Sequence, residues 1–121
     1  MNACSVADIK ELQQNLGGKP AADCTPWLQA IGHCLQETPS FEIDNAYIVE
    51  VATFLHYLSV QADNEGWMPA FQNDLWEAVS MSATLAFYIH KSEGPYRDAA
   101  FFKDVTNLGR LLIRIGTLTY T

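Results

Sequence analysis

The chain has 121 residues, of which 49% are hydrophobic and only 17% are charged, and its formal net charge is −7 at pH 7. This length predicts a single domain spanning residues 1–121, and the composition excludes intrinsic disorder, which requires low hydrophobicity and high charge. An acidic surface repels phosphates, so direct binding to nucleic acid is disfavoured, although a net charge of this size also simply keeps a small domain soluble.

Two shorter helices are predicted at the N-terminal end of the chain. Ser5 and Asp8 match a capping box that opens helix 1, which runs to about Leu16 and stops at the glycine pair 17–18. Thr25 and Pro26, an N-cap residue before a proline at the first helical position, open helix 2, which runs to about residue 36.

Three longer helices are predicted after them, over about residues 42–63, 69–91 and 96–116, with Gly94 and Pro95 ending the second of the three. Within them, Val51–Ala62 and Ala78–Ile89 contain no charged residue. Both runs are too short to cross a bilayer and are typical of buried helices, so no membrane partner is expected. The prediction is an all-α, compact bundle of about five helices, in which three long C-terminal helices are covered by two short N-terminal ones.

Small residues in helices 4 and 5 predict close helix contacts. Ala78, Ser82 and Ala86 recur on successive turns of helix 4, where a neighbouring helix could approach closely. Gly109 interrupts helix 5 and costs ~1 kcal/mol relative to alanine, so a close packing contact is expected to compensate for it.

The three cysteines, Cys4, Cys24 and Cys34, are odd in number and have no C-x-x-C spacing. This pattern is interpreted as free thiols in a reducing compartment, with a Cys24–Cys34 bridge left open. The N-terminus has no basic segment followed by an apolar run, so no secretory signal is expected and a cytoplasmic location is predicted.

The sequence contains no motif for catalysis, a metal or a cofactor. Cys24, His33 and Cys34 form the only Cys/His cluster, and adjacent residues on a helix point about 100° apart. Glu50 and Glu77 are the best pair of carboxylates for acid–base chemistry, but each is expected on the solvated side of its own helix. We therefore predict neither an enzyme, nor a metal site, nor a cofactor.

The connection between predicted helices 3 and 4 is the best candidate for a protein-binding site. It brings acidic side chains near tryptophans and near large apolar residues on the polar side of helix 3: Asp63, Glu65, Trp67, Asp74, Trp76, Glu77, Val49, Tyr57 and Val60. The charge would attract a basic partner and the aromatic rings would fill its pockets. The alternative is that Trp67 and Trp76 both face the core, since tryptophan is usually mostly buried.

Helix 5 carries a basic stripe of Lys103, Arg110 and Arg114. It is either a site for an anion or acidic partner, or a solvated helix face whose cations pair with the acidic helices. We favour the second interpretation, because a run of like charges on one helix face is usually solvated.

These features together predict a non-catalytic acidic protein that binds another protein with a basic surface and inhibits or regulates it. Immunity proteins, antitoxins, anti-sigma factors and phage-encoded inhibitors share this size and charge, which is an analogy and not a motif. The alternative is a structural homo-oligomer or assembly chaperone, for example a homodimer that pairs the apolar faces of helices 3–5. An enzyme with an unrecognised site is the third hypothesis.

Overall fold

The computed structural model describes residues 3–17, 21–38, 43–91 and 99–117. These ranges contain five α-helices and no β-strand: α1 (Val6–Gln14), α2 (Ala21–Glu37), α3 (Asn45–Asn64), α4 (Pro69–Lys91) and α5 (Ala99–Thr117). The predicted all-α bundle is confirmed. The predicted glycine stop at Gly18, the stop at Gly94 and Pro95 and the predicted start of helix 5 at Tyr96 lie outside the described residues.

Side-chain caps and one glycine set three of the helix ends. The Ser5 hydroxyl accepts the backbone N–H of Asp8 at 3.1 Å, as the capping-box pattern predicts. Asp44 caps α3 by accepting the N–H of Ala46 at 3.1 Å, so α3 begins later than predicted. After α3, Gly66 adopts a φ of 65°, a left-handed conformation that favours glycine and turns the chain towards α4.

The predicted start of helix 2 is wrong, because α2 begins at Ala21 and Pro26 lies inside it. Cys24, Leu28 and Ile31 are all fully buried and follow one another at helical spacing. Extending the helix through Cys24 therefore adds a third buried side chain to this stripe. That burial favours helix there despite the backbone hydrogen bond that a proline removes.

The helices pack mainly as two pairs. The most extensive helix–helix contact joins α2 to α5, and the next joins α3 to α4, while α4 also contacts α5 and α1 covers α3. A continuous core of apolar side chains fills the space between them; its largest fully buried members are Phe54, Phe71, Ile9, Leu28, Ile31, Ile48, Leu55, Leu58, Leu75, Leu85, Leu108 and Leu112. None of the helices in the described ranges combines the length and the apolarity that a membrane crossing requires.

The contact between α2 and α5 depends on glycines. A Cβ atom on Gly32 would lie 2.7 Å from the carbonyl oxygen of Gly109 and 2.8 Å from the backbone nitrogen of Ile113. A Cβ atom on Gly109 would lie 3.0 Å from Leu35 Cβ. The close packing predicted at Gly109 is confirmed, and the helix that supplies it is α2.

A disulfide joins Cys4 to Cys34, with their Cα atoms 5.4 Å apart. The interpretation as free thiols is therefore wrong for Cys4 and Cys34, and so is the alternative of a Cys24–Cys34 bridge, since Cys24 is buried and lies outside the disulfide. Cys24 and Cys34 lie ten positions apart on one helix, about 15 Å at 1.5 Å per residue, which is too far for a disulfide. The bridge also removes the argument for a reducing compartment that depended on three free thiols.

Tyr47 holds the same N-terminal segment from the side of α3. Its hydroxyl donates to the carbonyl oxygen of Ala3 at 2.6 Å, and both residues are buried. Burial raises the pKa of Tyr47, with a smaller contribution from the negative charge of Asp8. This tyrosine therefore acts as a neutral hydrogen-bond donor that fastens the start of the chain to the bundle.

Candidate protein-binding surface

The structure separates the two candidate tryptophans. Trp67 is only 9% exposed, its indole Nε1–H donates to Glu65 Oε2 at 2.9 Å, and its ring packs edge-on against Phe71 with centroids 5.4 Å apart. Trp76 is 59% exposed. The prediction of Trp67 as an exposed anchor is therefore corrected to a core role, because the turn at Gly66 directs it back onto the bundle, whereas Trp76 is open to a partner.

The exposed apolar surface is concentrated on one helical hairpin. Among the described residues six large apolar side chains are exposed, and all of them belong to α3, α4 or the turn between these helices: Tyr57, Val60, Met68, Trp76, Phe87 and Tyr88. Scattered single apolar residues are ordinary on a protein surface, whereas their restriction to one hairpin makes that hairpin the candidate surface. The exposed apolar surface of the described residues thus lies on α3, α4 and the turn between them.

A groove of about 370 Å³ runs between these two helices. Its lining from α3 includes Val49, Ala52, His56 and Tyr57, and its lining from α4 includes Val79, Ala83, Ala86 and His90. Phe87 lies one turn after Ala83, and Trp76 lies two turns before it, so both share the outer side of α4 with Ala83. We call the surface formed by Val49, Tyr57, Val60, Trp76, Ala83 and Phe87 the hairpin face.

Carboxylates border the end of the hairpin face that is closest to the turn. Asp63 and Glu65 are exposed where α3 ends, and Glu77 is exposed next to Trp76. The sequence between Lys19 and Lys91 contains no lysine or arginine, so α2, α3 and most of α4 offer no such cation to this surface. Lys91 lies at the opposite end, with its ammonium 5.5 Å from the centre of the Phe87 ring.

The basic stripe of α5 is used in part inside the molecule. The guanidinium of Arg114 lies 3.5 Å from the carboxylate of Asp74 and 4.0 Å from that of Glu77, joining α5 to α4. Lys103 and Arg110 are exposed and form no ion pair with the described residues. Pairing with an acidic helix, the interpretation favoured from the sequence, is thus observed for Arg114. Asp74 consequently serves the α4–α5 contact and is half-buried.

The candidate catalytic groups serve separate helix contacts. Glu50 accepts a hydrogen bond from Gln13 of α1 at 2.9 Å, whereas Glu77 lies beside Arg114 of α5. His33 lies 3.5 Å from Glu37 on the surface of α2. Within the described ranges, no three His, Cys, Asp or Glu side chains are grouped as a metal ion would require, and Cys34 belongs to the disulfide.

Two features of the surface were missed from the sequence. Phe87 is not among the binding residues predicted from the sequence, although its spacing from Trp76 and Ala83 places all three on one side of α4. His56 and His90 come from different helices and line the same groove, which only the fold could show. No family model, no curated protein and no solved structure matches this chain.

Proposed function

We propose that this protein is a non-catalytic binding module that docks a basic surface of another protein on its hairpin face and thereby inhibits or regulates it. The observation that carries the proposal is the restriction of all six exposed large apolar side chains of the described residues to α3, α4 and their turn. Proteins that act by occupying a partner's surface, such as immunity proteins, antitoxins and anti-sigma factors, provide the analogy.

The two aromatic residues that α4 contributes to the hairpin face, Trp76 and Phe87, would supply most of the affinity. Trp76 is 59% exposed and Phe87 is 58% exposed, so each leaves on the order of 100 Å² for a partner to cover. At about 25 cal/mol per Å² this corresponds to about 2.5 kcal/mol of gross stabilisation from each ring. Values of this size are typical of the few residues that dominate a protein interface.

Acidic charge would select the partner and accelerate its approach. Asp63, Glu65 and Glu77 border the hairpin face, and the stretch between Lys19 and Lys91 contains no lysine or arginine. Glu77 lies 4.0 Å from the guanidinium of Arg114, so Asp63 and Glu65 carry most of the attraction. Attraction between exposed charges raises association rates and is screened by salt. The rate of association should therefore fall markedly between about 0.01 and 0.15 M ionic strength; a rate that is indifferent to salt would contradict this part of the proposal.

The disulfide bears on where such a module would act. Disulfides persist in oxidising environments and are rare in the cytosol. The Cys4–Cys34 bridge therefore favours action in an oxidising compartment over the cytoplasmic location expected from the sequence.

The test is capture of a partner from source cells with matched baits. Trp76→Glu places a carboxylate on the hairpin face, whereas Gln14→Glu adds the same charge at an exposed position of α1. A protein with a basic surface should be retained by the native chain and by the Gln14→Glu control, and lost with Trp76→Glu. Equal capture by all three baits would refute the proposed surface.

Self-association is the second candidate function, and the pattern of residues along α4 favours it. Trp76 and Phe87 flank the small residues Ser80 and Ala83, an order of large, small, small and large side chains that reads the same in both directions. A second copy related by a two-fold axis could pack α4 antiparallel, with its Phe87 against Trp76. Sedimentation velocity at micromolar protein concentration tests this candidate. A monomer at that concentration would rule out self-association, whereas a dimer that Trp76→Glu abolishes would support it.

A further inference from the structure

We infer that the groove between α1 and the C-terminal end of α3 binds an arginine side chain of the partner protein. This inference rests on the proposed function, because the groove adjoins the hairpin face through Tyr57 and Val60, which belong to both. It adds the chemical identity of one contact residue on the partner.

The groove has a volume of about 520 Å³ and a mixed lining in which an aromatic ring meets planar polar groups. The residues that matter for recognition are Gln13, Tyr57, Val60, Gln61, Asn64 and Glu65. Among the described residues that line the groove, Glu65 alone is charged. A cation that enters the groove therefore meets one negative charge from this part of the lining.

The Glu65 carboxylate is held in place and keeps one oxygen available. Its Oε2 atom accepts the indole N–H of Trp67 at 2.9 Å, and Trp67 is itself fixed in the core. The Oε1 atom has no hydrogen-bond partner among the described residues. A carboxylate that is oriented before binding loses less freedom when a ligand arrives, which favours affinity.

Arginine suits this lining better than lysine does. A guanidinium is planar, stacks on aromatic faces and presents five N–H donors, whereas an ammonium is a compact and strongly hydrated charge. Tyr57 is 55% exposed and offers a ring for stacking, and Glu65 and the amide oxygen of Asn64 offer acceptors. An anionic group would be repelled by Glu65, and a metal ion would find a single carboxylate among the described lining residues.

The experiment uses two small probes that differ in charge and share their shape. N-acetyl-arginine methylamide is titrated into the isotope-labelled protein and compared with its neutral isostere, N-acetyl-citrulline methylamide. We expect the arginine probe to shift the side-chain amide signals of Gln61 and Asn64 saturably at millimolar concentration. The citrulline probe should bind about tenfold more weakly, because it lacks the charge that strengthens the hydrogen bonds.

Three variants locate the site. Tyr57→Leu keeps an apolar side chain but removes the ring, and should weaken binding of the arginine probe about fivefold. Glu65→Gln removes the charge yet retains an oxygen that can accept the Trp67 indole N–H, and should weaken binding about threefold. Glu37→Gln removes another exposed carboxylate, on α2, and should leave binding unchanged. Thermal unfolding of each variant checks that it is folded.

The outcomes separate this inference from the proposed function. Equal binding of the two probes, no saturable shift, or a Tyr57→Leu variant that binds normally would overturn the arginine site. Partner capture that still depends on Trp76 would then leave the proposed function standing. Conversely, the arginine probe could bind in the groove while the Trp76→Glu bait captures the partner as well as the native chain does. That result would retain the arginine site and refute the hairpin face as the docking surface.

Discussion

Removing the Cys4–Cys34 disulfide should lower the free energy of unfolding by about 3.6 kcal/mol. The bridge closes a loop with a sequence separation of 30. For such a loop the chain-entropy relation gives about 12 cal/mol/K of entropy removed from the unfolded state, or about 3.6 kcal/mol at 25 °C. The perturbation is the double variant Cys4→Ala with Cys34→Ala, which leaves no unpaired thiol from the bridge.

The assay is urea unfolding of the native and double-variant proteins, followed by circular dichroism. With a slope of about 1.5 kcal/mol per M, the loss corresponds to a midpoint lowered by about 2.4 M. A reductant should lower the midpoint of the native protein and leave that of the double variant unchanged. Alkylation of the unfolded, unreduced native protein should modify Cys24 alone, because the other two cysteines are bonded to each other.

Two results would refute this reasoning. Alkylation of all three cysteines in protein made under oxidising conditions would show that the bridge does not form. A bridged protein whose midpoint equals that of the double variant would show that closing the loop contributes nothing, and the entropic account would then fail even though the bond exists.

Three further changes test other parts of the structure. Gly32→Ala should lower the free energy of unfolding by about 2 kcal/mol in thermal unfolding, since its Cβ would meet two backbone atoms of α5 within 2.8 Å. Gly17→Ala is the control: no atom lies within 4 Å of the added carbon, so stability should change by less than ~0.5 kcal/mol. Trp67→Ala should cost about 3–5 kcal/mol in urea unfolding and Trp76→Ala less than ~1 kcal/mol, because only the first ring is in the core; equal losses would contradict their assignments. Tyr47→Phe should cost about 1 kcal/mol at neutral pH. Because burial raises the pKa of Tyr47, the stability that its protonated hydroxyl contributes is present below the ordinary tyrosine pKa of about 10 and is lost as the pH rises above it; unfolding measured between about pH 8 and 11 should show this alkaline loss in the native protein and not in the variant.

Local signals in the sequence predicted the helices well where a single residue type decides the boundary. The start of α4 was predicted at Pro69, where the structure has it, and the capping role of Ser5 was identified correctly. The start of α2 was not predicted correctly. The local signal at Pro26 is outweighed by the burial of Cys24, and that burial depends on packing against the rest of the bundle. Signals that act within one turn are readable from the sequence, and those that depend on the core are not.

The candidate site was predicted in outline and not in detail. The sequence pointed to the connection between helices 3 and 4 and to Trp76, which the structure exposes. It could not distinguish Trp76 from Trp67, because both stand near acidic residues and only the turn at Gly66 sends one of them inward. The pairing of Cys4 with Cys34 could not be predicted either, because the two cysteines belong to different segments that only the tertiary fold brings together.

The pairing of α2 with α5 has a kinetic consequence. The α3–α4 hairpin joins neighbouring helices through a short turn, whereas α2 and α5 are separated in the chain by residues 38–98. Contacts between distant segments require a loop closure that costs entropy. We therefore expect the α3–α4 hairpin to form early in folding and the contact between α2 and α5 to form last. Gly32→Ala should accordingly raise the unfolding rate far more than it lowers the folding rate. The contact between α2 and α5 would then determine how long a folded molecule persists before it unfolds.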